Sequence, residues 1–573
     1  MPREVSFVLP LEQEPRSLRE GELRFAAARA LGEPPKDFGA VRLLRYSLDA
    51  RPGHEGWRVT VLLYGQEETP PPVPATEPPR IPPPPPAAPR VAVVGSGPAG
   101  LFAALELLRG GLHVVLLERG RQVQPRRRDL AALNRGADPD PDSNYCHGEG
   151  GAGTYSDGKL YTRSVPREEA RAILEEFVRH GAPEDILHSW RPHIGSNRLP
   201  QVVEALRRTL QDAGAELRFE ARVEALLTDR GRVRGVRLAG GEELEAEAVV
   251  LAAGHSAADS LRMAEAAGAV LVPKGFAMGV RIEHPQPWLD ALQYRGARLT
   301  CPLPPAFYEL RAQSGERGVY SFCMCPGGWI VPCATRPGQV VVNGMSLSRR
   351  DSPWANSGLV VELRPEDWCG RRGGRFGWPA LLREAAALDG DPLLHGETRA
   401  GKVADGRLPE SPEEDPWFGA RVQLALEIVA AHAGGGGGRA PGQRADLFAA
   451  GRGEAGEARP TSYRPGVTAV DLDAVLPPGI ARRLREALVR FDRRLPGFAG
   501  PEGQLHGVES RTSSPVRILR DRRSGEAEGL RGLYPAGEGA GYAGGIVSAA
   551  ADGRRAARGI LLSLGQSAGR NRR

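Results

Sequence analysis

One stretch constrains the fold more than any other: Val91-Ala92-Val93-Val94-Gly95-Ser96-Gly97-Pro98-Ala99-Gly100. An apolar, largely β-branched run leads into a G-x-G-x-x-G turn, and residues 101–109 then have the composition of a helix. Gly95 permits the tight turn, Gly97 lets backbone amides approach a pyrophosphate, and Gly100 lets the helix pack closely on the sheet. The pattern predicts a strand, turn and helix that bind a dinucleotide at the positive end of the helix.

The next predicted strand, His113–Leu117, ends at an acidic residue. Glu118 stands 23 positions after Gly95, where dinucleotide-binding folds place an acceptor for ribose hydroxyls. We therefore expect Glu118, with the adjoining Arg119, at the ribose end of the cofactor.

A second glycine cluster lies more than four hundred residues further on, at residues 533–546. A strand is predicted at residues 532–536, and a helix begins at Ile546 directly after Gly544 and Gly545. Gly537 and Glu538 stand between them, where an acid usually binds the ribityl or pyrophosphate-side hydroxyls. The N-terminus of the helix can face the flavin and stabilise negative charge on the reduced ring. Together the two clusters predict the two ends of one FAD site.

Two further strands are predicted between these clusters, at residues 216–225 and 245–253. The first contains Val223, and the second leads through Ala253 into Gly254. In glutathione-reductase-type flavoproteins, a strand that ends in small residues and glycine passes the adenosine half of FAD. We therefore expect these three residues at that half.

The loop of residues 148–159, called here the glycine-rich loop, combines five glycines with charged side chains. Gly150 and Gly153 let the backbone approach a flat ring, while Asp157 and Lys159 can set its protonation. We expect this loop at the reactive face of the flavin. The alternative is a loop that only cradles the pyrophosphate or forms a turn, because glycine density reports backbone geometry and not catalysis.

The part of the chain after residue 90 resembles the uncharacterised FAD-dependent dehydrogenase family, a branch of the FAD/NAD(P)-binding oxidoreductases with a glutathione-reductase-type FAD domain. The segments that carry the resemblance are residues 148–160, 192–195, 254–257, 279–285, 322–328, 343–346, 509–517 and the second glycine cluster. The resemblance implies FAD and an oxidoreductase activity. It identifies neither a substrate nor a catalytic residue.

Proline marks the main domain boundary. Twelve of the 20 residues from 70 to 89 are proline, which lacks a backbone donor and favours polyproline II. The expected fold class is α/β: a Rossmann-like FAD-binding domain with an inserted α+β cap or substrate domain and a small N-terminal β-α-β-β module. The predicted segments are the module at 1–68, a linker at 69–89, the FAD-binding domain at 90–270 and 501–562, the cap at 271–500 and a disordered tail at 563–573. Within the cap, five consecutive glycines at 434–438 predict a flexible loop, followed by a poorly structured stretch to about residue 460.

The pair Cys323 and Cys325 lies in the predicted cap. Three interpretations stay open: structural thiols, a redox-active pair beside the flavin, or a metal site with Cys333 and nearby histidines. No C-x-x-C spacing supports zinc, so no metal is expected. His284 likewise has two interpretations, a structural histidine or the acid or base that moves the proton, a role that Asp157 could also take.

Composition limits the partners. The net charge is +6, but the basic residues are mostly arginine, spread along the chain and matched by 70 acidic residues, which argues against a nucleic-acid-binding surface. No apolar run approaches the roughly 20 residues that span a bilayer. We expect a soluble, cytoplasmic protein with reduced thiols and a small-molecule substrate, and no oligomeric state is predicted.

The leading interpretation is an FAD-dependent oxidoreductase that transfers a hydride between flavin N5 and a substrate or a transiently bound NAD(P)H. No second complete glycine motif for a nicotinamide is visible between residues 160 and 500. Two alternatives stay open. One is a flavoprotein that acts on RNA and grips it with the N-terminal module. The other is a non-catalytic, FAD-binding redox sensor.

Overall fold

The structure is a computed structural model that describes residues 2–51, 53–71, 76–295, 301, 303–398 and 401–570, with side chains up to residue 565. Its N-terminal module has the four predicted elements in the predicted order. These are β1 (Arg3–Leu9), α1 (Glu20–Leu31), β2 (Phe38–Asp49) and β3 (Gly56–Gly65). The three strands form an antiparallel sheet in the order β1-β3-β2.

The segment after the linker begins the domain that carries the first glycine turn. Its elements are β4 (Arg90–Val94), α2 (Pro98–Arg109), β5 (His113–Leu117), α3 (Val123–Leu133), α4 (Arg167–Arg179), α5 (Leu199–Asp212), β6 (Glu216–Arg218), β7 (Val223–Asp229), β8 (Arg232–Leu238), β9 (Glu243–Glu245), β10 (Ala248–Leu251) and α6 (Ala258–Ala266).

The cap follows in the chain. Its elements are β11 (Leu271–Pro273), β12 (Phe276–Pro285), α7 (Gln286–Tyr294), β13 (Arg311–Ser314), β14 (Arg317–Cys325), β15 (Gly328–Pro332), β16 (Val342–Ser346), β17 (Trp354–Leu363), α8 (Gly370–Phe376), α9 (Trp378–Leu388), α10 (Pro392–His395), β18 (Glu397–Thr398), β19 (Gly401–Lys402), α11 (Phe418–Gly434), β20 (Ala440–Arg444), α12 (Ala445–Ala450), β21 (Val467–Ala469), α13 (Pro478–Asp492) and β22 (Gln504–Glu509). The chain then returns to the first domain through β23 (Val516–Ile518), β24 (Leu533–Pro535) and α14 (Ile546–Arg570).

A five-stranded parallel sheet in the order β24-β10-β4-β5-β6 forms the centre of the first domain. Strands β10, β4, β5 and β24 are almost wholly apolar and buried, as is usual for parallel strands covered by helices on both faces. Because all five strands run in one direction, their carboxyl ends meet at one edge, where such sheets bind ligands. This arrangement confirms the predicted fold class.

Helices α2 and α14 pack against each other at very short range. A Cβ on Gly553 would lie 1.9 Å from the carbonyl oxygen of Ala99, and a Cβ on Gly537 would lie 2.8 Å from the Cβ of Ala99. Only glycine lets the two backbones come this close. The packing brings together the two glycine clusters that are far apart in the sequence.

The cap is built on a seven-stranded sheet in the order β13-β14-β17-β12-β22-β20-β21. Strand β22 lies inside this sheet between β12 and β20, although the sequence placed residues 501–562 in the returning part of the FAD-binding domain. All six residues of β22 are buried, so it is a central strand. The cap therefore extends to about residue 509.

Two predicted strands are each divided in the structure. The stretch 216–225 forms β6 and β7, which belong to different sheets, because Glu220 adopts a φ of +54° and turns the chain. The stretch 245–253 is divided between β9 and β10. In the first case a local turn that the composition did not reveal overrides the strand propensity of the flanking residues.

The stretch from 434 to 460 is more ordered than predicted. The five glycines end α11, and β20 and α12 follow within the stretch. Four of the glycines, 435–438, have positive φ values, so this run is a defined left-handed turn. Pairing of β20 with β22 supplies the long-range contact that local composition could not show.

The linker packs on a neighbouring domain, and the C-terminal tail is more ordered than predicted. Ile81 of the linker is buried against the parallel-sheet domain, and the His113 ring is 2.9 Å from the carbonyl oxygen of Pro85. Helix α14 continues into the predicted tail as far as Arg570. Within the described ranges, no helix is long and apolar enough to span a membrane.

Candidate functional site

The first glycine turn follows β4 at the carboxyl edge of the parallel sheet. Gly95 has a φ of +100°, and a Cβ there would lie 2.5 Å from the carbonyl oxygen of Ala252. A Cβ on Gly100 would lie 1.8 Å from the carbonyl oxygen of Gly95. At Gly97, by contrast, the nearest atom is the Cα of Gly151 at 3.9 Å. The protein itself therefore requires Gly95 and Gly100, whereas Gly97 leaves space that a ligand can fill.

The glycine-rich loop lies across this turn. A Cβ on Gly153 would lie 3.2 Å from Cγ1 of Ile546 and 3.8 Å from Cγ of Pro98. Pro98 and Ile546 are the first residues of α2 and α14, so the positive ends of two helices face the same loop. Unpaired amides at two helix ends favour a bound anion such as a pyrophosphate.

A buried arginine fixes the glycine-rich loop in place. The guanidinium of Arg126 on α3 is fully buried and donates to the backbone carbonyls of Asn144, Tyr145, Glu149 and Gly151 at 2.8–3.1 Å. The N–H of Gly150 also donates to the carbonyl oxygen of Ser96 at 3.0 Å. Sequence reasoning missed Arg126, because nothing distinguishes it from the other arginines at 127 and 128.

Glu118 lies at the end of β5, but its carboxylate is already hydrogen-bonded within the protein. Oε2 accepts from the N–H and the hydroxyl of Ser96 at 2.9 and 2.7 Å, and Oε1 accepts from the N–H groups of Gly120 and Gly148 at 2.9 and 3.1 Å. A carboxylate offers about four acceptor positions. Protein donors therefore use its full capacity, and Glu118 joins the glycine turn to the glycine-rich loop.

The other residues predicted for the adenosine half lie near the same edge. Ala253 lies next to the turn, since a Cβ on Gly95 would be 3.3 Å from its Cα. Gly254 has a φ of +80°, and no described atom lies within 4 Å of a Cβ built on it. The side chain of Val223 is buried in the core, where its strand pairs with β8. Only its backbone can therefore face a ligand.

A cavity of about 300 Å³ lies between the parallel-sheet domain and the cap. On the parallel-sheet side it is bordered by Arg119, whose guanidinium forms ion pairs with Asp142 at 2.7 Å and Asp259 at 2.9 Å. The wall also includes His147, His255, Arg262, Arg336, Trp417 and Arg511. Both domains therefore contribute to a space of the size that small ligands occupy.

The second glycine cluster is anchored at its first residues. The N–H of Gly537 donates to Oδ2 of Asp552 at 2.8 Å, and Arg520 pairs with the same carboxylate at 2.6 Å. Oε2 of Glu538 lies 3.2 Å from Nδ1 of His255, which borders the cavity. Glu538 thus lies at the carboxyl edge of the sheet.

The residues at this edge fit FAD. Gly254, Gly544 and Gly545 border open space, since no described atom lies within 4 Å of a Cβ built on any of them. Gly544 and Gly545 are also exposed at the start of α14. Backbone that can approach a flat ring, together with two helix N-termini for phosphates, is the donor set that a dinucleotide requires.

A smaller cavity of about 30 Å³ lies between the glycine-rich loop and the cap strands. Ser156, His255, Gly344 and Glu509 contribute to its wall. Burial raises the pKa of Glu509 to about 7, and Arg281 limits the rise. Glu509 can therefore bind or release a proton near neutral pH. No sequence pattern around Glu509 predicted this role, since its burial comes from the cap sheet.

Asp157 and Lys159 lie close together, as charged partners. Nζ of Lys159 is 3.7 Å from Oδ2 of Asp157, and Arg350 donates to the same oxygen at 2.8 Å. Burial alone would raise the pKa of Asp157, but Arg350 and Lys159 hold it below its ordinary value. Burial alone would lower the pKa of Lys159, but Cys323, Cys325 and Asp157 raise it. Both groups are thus charged at neutral pH.

His284 does not lie at this site. Its side chain is fully buried in the cap, with Nε2 at 2.8 Å from the carbonyl oxygen of Phe498 and the ring stacked on Trp288. Burial lowers the pKa of His284 to about 4, so the ring is neutral at pH 7. This placement corrects the prediction of a catalytic role. The sequence could not show that β12 directs this ring into the aromatic core.

The two cysteines of the C-x-C pair lie beside the glycine-rich loop. Their sulfurs are 3.7 and 3.8 Å from Nζ of Lys159, and both cysteines are free of disulfides in this structure. Among the residues that the structure describes, no group of three or more His, Cys, Asp or Glu side chains could hold a metal ion.

Comparison with known proteins agrees with this geometry. A family model described as "FAD-dependent protein, C-terminal domain-like" matches residues 275–376 and 400–512. A model for FAD-dependent oxidoreductases matches residues 162–301, and a model for an FAD binding domain matches residues 89–132. The family models thus cover both the parallel-sheet domain and the cap.

Individual relatives differ in how much they cover. A protein of Clostridium beijerinckii described as uncharacterized is 37% identical over 476 residues, which are 82% of this chain and 80% of that protein. The zeta-carotene-forming phytoene desaturase of Myxococcus xanthus is 48% identical over 61 residues, 11% of each chain. Among solved structures, the 3-ketosteroid-delta4-(5alpha)-dehydrogenase of Rhodococcus jostii RHA1 is 14% identical, covers 82% of this chain and 96% of its own, and has a TM-score of 0.32.

The three family models describe FAD-dependent proteins, and the extent of the match to the C. beijerinckii protein shows a shared family. The chain belongs to the FAD-dependent oxidoreductases, in the family of that uncharacterized protein.

Proposed function

We propose that this oxidoreductase is a dehydrogenase that transfers a hydride between N5 of FAD and a small-molecule substrate, or a transiently bound NAD(P)H. One observation carries the proposal. Gly153 of the glycine-rich loop meets the first residues of α2 and α14, and the same loop borders the cavity that Glu509 lines. Backbone that could hold the cofactor and a group that titrates near pH 7 therefore border the same loop.

Backbone groups would hold most of the cofactor. The residues we assign to it are Gly95, Gly97, Pro98, Ala99 and Gly100 at the pyrophosphate, Gly150 and Gly153 beside the ring, Arg119, Val223, Ala253 and Gly254 at the adenosine half, and Gly537, Glu538, Gly544, Gly545 and Ile546 at the ribityl chain and the flavin. When bound, FAD supplies a two-electron acceptor at N5. Glu118 supports the site by positioning the glycine turn and the glycine-rich loop, because protein donors occupy its acceptor positions.

We assign to Glu509 the role of general acid or base, which moves the proton that accompanies hydride transfer. A general acid or base works best when its pKa lies near the operating pH, which the buried Glu509 satisfies. Asp157 and Lys159 fit a different role, because they hold opposite charges firmly at neutral pH. In the proposal they set the electrostatic potential at the loop and do not exchange the proton.

The larger cavity supports a small substrate. Two of its arginines are neutralised, Arg511 by Glu427 at 2.7 Å and Arg336 by Asp391 at 3.1 Å. A polyanion such as RNA requires unpaired cations along an extended surface. The paired charges in this cavity favour a small molecule of low net charge.

An anaerobic titration of the purified protein with NADH and NADPH, followed by visible absorption, tests the proposal. We expect an FAD spectrum that one of the nicotinamides or a small-molecule donor bleaches. Purification with FMN, or failure to bind FAD on reconstitution, would contradict the site. If dithionite reduces the flavin but no organic donor reduces it, the proposed dehydrogenase activity is contradicted.

A matched pair of variants tests the proton assignment. Glu509→Gln should retain the FAD spectrum but slow flavin reduction by about 100-fold or more, the usual contribution of a general acid or base. Glu362→Gln makes the same change at a partly exposed ion pair with Arg364. Its flavin should be reduced at the rate of the parent protein. Equal rates in all three proteins would remove Glu509 from the mechanism.

A further inference from the structure

The C-x-C pair of the cap has one cation in contact with both sulfurs. Nζ of Lys159 lies 3.7 Å from Sγ of Cys323 and 3.8 Å from Sγ of Cys325, and it donates to the carbonyl oxygen of Met324 between them. Sγ of Cys325 is also 3.3 Å from the carbonyl oxygen of Cys323. The two thiols therefore face the same side and share one partner.

The backbone at this pair is irregular. The pairing of β14 with β17 shifts register between Phe322 and Cys325, so Cys323 and Met324 bulge out of the ladder. Cys323 adopts a φ of +52°, a left-handed conformation that is unfavourable for a side chain other than glycine or asparagine. Such strain persists only where the surrounding structure imposes it, and it is concentrated at functional sites.

The environment divides the pair into unequal thiols. A hydrogen bond from Cys325 lowers the pKa of Cys323 to about 5, and Lys159 and Arg281 act in the same direction against burial. The same hydrogen bond, together with burial, raises the pKa of Cys325 well above its ordinary value. One sulfur is thus a thiolate and the other a thiol that keeps its proton, and such an unequal pair is found in dithiol redox centres.

Cys369, another cysteine of the cap, shows how the pKa of a thiol shifts where burial and carboxylates act on it in place of Lys159 and Arg281. Burial and neighbouring carboxylates raise the pKa of Cys369 to about 11, and its thiol lies 3.7 Å from the carbonyl oxygen of Pro365. A cap cysteine is therefore not reactive merely because of its position in this domain. The cationic partners distinguish Cys323.

The pair is connected to the small cavity at the glycine-rich loop. Nη2 of Arg281 lies 2.9 Å from the carbonyl oxygen of Cys323 and 3.6 Å from Sγ of Cys325, while Nη1 pairs with Glu509 on the cavity wall. Gly344 separates the guanidinium from the cavity, and a Cβ there would lie 1.9 Å from Nη2. Arg281 and Gly344 thus connect the sulfurs to the small cavity at the glycine-rich loop, the loop that we assign to the flavin ring.

We propose that Cys323 and Cys325 form a redox-active dithiol that exchanges two electrons with the FAD of this protein. This inference rests on the proposed function, because it takes the flavin as its electron partner. In the forward direction, the Cys323 thiolate and the Cys325 thiol form an S–S bond and the S–H bond of Cys325 breaks. The two electrons and that proton pass to oxidised FAD, which becomes the reduced, singly protonated anion, so atoms and charge balance. Reduction of the disulfide by the reduced flavin is the reverse step.

An anaerobic dithionite titration of the FAD-loaded, air-oxidised protein tests this step. We expect four electrons per flavin in the parent protein, two for the ring and two for the disulfide, and two electrons in Cys323→Ser. Cys369→Ser, the same substitution at a thiol without a cation, should again require four. Two electrons in the parent protein, or four in Cys323→Ser, would overturn the proposal.

Peptide mass spectrometry after differential alkylation gives a readout independent of turnover. The peptide that contains residues 323 and 325 should carry a disulfide in the oxidised protein and two alkylated thiols after flavin reduction. If the protein binds no FAD, the proposed function fails, because the flavin is absent. A disulfide in that protein could then be reduced only by an added reductant. Two thiols in both states with FAD bound would overturn the dithiol itself.

The pH dependence of alkylation tests the electrostatic basis. The charged groups that face Cys323 are Lys159 and Asp157 on the loop, Arg281 on β12 and Glu509 on β22. Lys159→Met removes the cation nearest to both sulfurs, so the midpoint for iodoacetamide reaction at Cys323 should rise by about 1 to 2 pH units. Lys274→Met, at a lysine whose amine contacts Ser513 and Ser514, should leave the midpoint unchanged. An unchanged midpoint in Lys159→Met would contradict the assigned thiolate.

Discussion

Nη1 of Arg281 lies 2.5 Å from Oε2 of Glu509, and neither side chain has more than 3% of its surface exposed. The two residues are 228 positions apart and meet because β12 pairs with β22 in the cap sheet. A buried ion pair at the wall of the candidate active site makes both stability and activity depend on pH. This relationship gives the first prediction.

Glu509→Gln should change how stability depends on pH. Burial raises the pKa of Glu509 from the ordinary value of 4.5 to about 7. The folded protein thus keeps a proton that the unfolded chain has lost, so this stabilisation is complete below pH 4.5 and is lost as the pH rises through 7. Relative to the parent protein, the variant should gain about 3 kcal/mol of unfolding free energy between pH 4.5 and 8.

Urea unfolding of both proteins across this pH range measures the difference. The variant leaves Arg281 without its carboxylate, so its absolute stability should be lower at every pH. Only the change of the difference with pH reports on Glu509. A difference that is constant from pH 4.5 to 8 would show that the pKa of Glu509 is not raised.

Gly97→Val should remove FAD binding and leave the fold intact. A Cβ at Gly97 meets only the Cα of Gly151, at 3.9 Å, so the protein can accommodate it, but it occupies the space that a pyrophosphate requires. Gly100→Ala is the contrast, because its Cβ would lie 1.8 Å from the carbonyl oxygen of Gly95 and should destabilise the domain itself. The flavin-to-protein absorbance ratio and thermal unfolding of each variant separate the two effects. A folded Gly97→Val protein with a full complement of FAD would refute the site.

His284→Leu should leave flavin reduction unchanged and make the protein less sensitive to acid. Burial lowers the pKa of His284 from 6.5 to about 4, so the unfolded chain binds a proton that the folded protein excludes. The neutral ring therefore costs stability as the pH falls from 6.5 to 4, by about 3 kcal/mol at the lower end. Comparison of unfolding at pH 7 and pH 4.5 tests this. A large loss of flavin reduction in a stably folded variant would restore a catalytic role.

Deletion of residues 1–71 should yield a soluble protein that binds FAD but unfolds at a lower temperature. The module contacts the parallel-sheet domain through Tyr46, whose hydroxyl donates to Asp185 at 2.5 Å and whose backbone pairs with His188 and Trp190. None of these partners belongs to the glycine turns. The deletion keeps Ile81 of the linker, which is buried.

Tyr46→Phe is the milder form of this test. It removes one hydrogen bond and should lower stability by about 1 kcal/mol while the flavin content stays unchanged. Flavin content and thermal unfolding of both proteins are the measurements. Loss of FAD from the deletion protein would show that the module is needed to assemble the cofactor site.

The features that depend only on residues adjacent in the sequence could be predicted from it. The turn at Gly95 needs a positive φ and a close approach of two backbones, which glycine supplies whatever its tertiary context. Alternating apolar residues likewise predicted the strands of the N-terminal module. Where a single residue turns the chain inside a strand-like stretch, as Glu220 does, the prediction failed because the turn has no compositional signal.

The chemistry of the candidate site was decided by the tertiary structure. Which carboxylate titrates near pH 7, which histidine is neutral and which thiol is ionised all depend on burial and on charges that arrive from distant strands. Lys159 and Cys323 are 164 positions apart, yet Cys323 helps to raise the pKa of Lys159, and Lys159 adds to the hydrogen bond from Cys325 in lowering the pKa of Cys323. The sequence determined that the chain builds one dinucleotide-type turn and a second glycine cluster to complete it, because backbone geometry is local. Only the pairing of the cap strands placed Glu509 and the cysteine pair beside the glycine-rich loop, because desolvation and Coulomb interactions depend on distance in space.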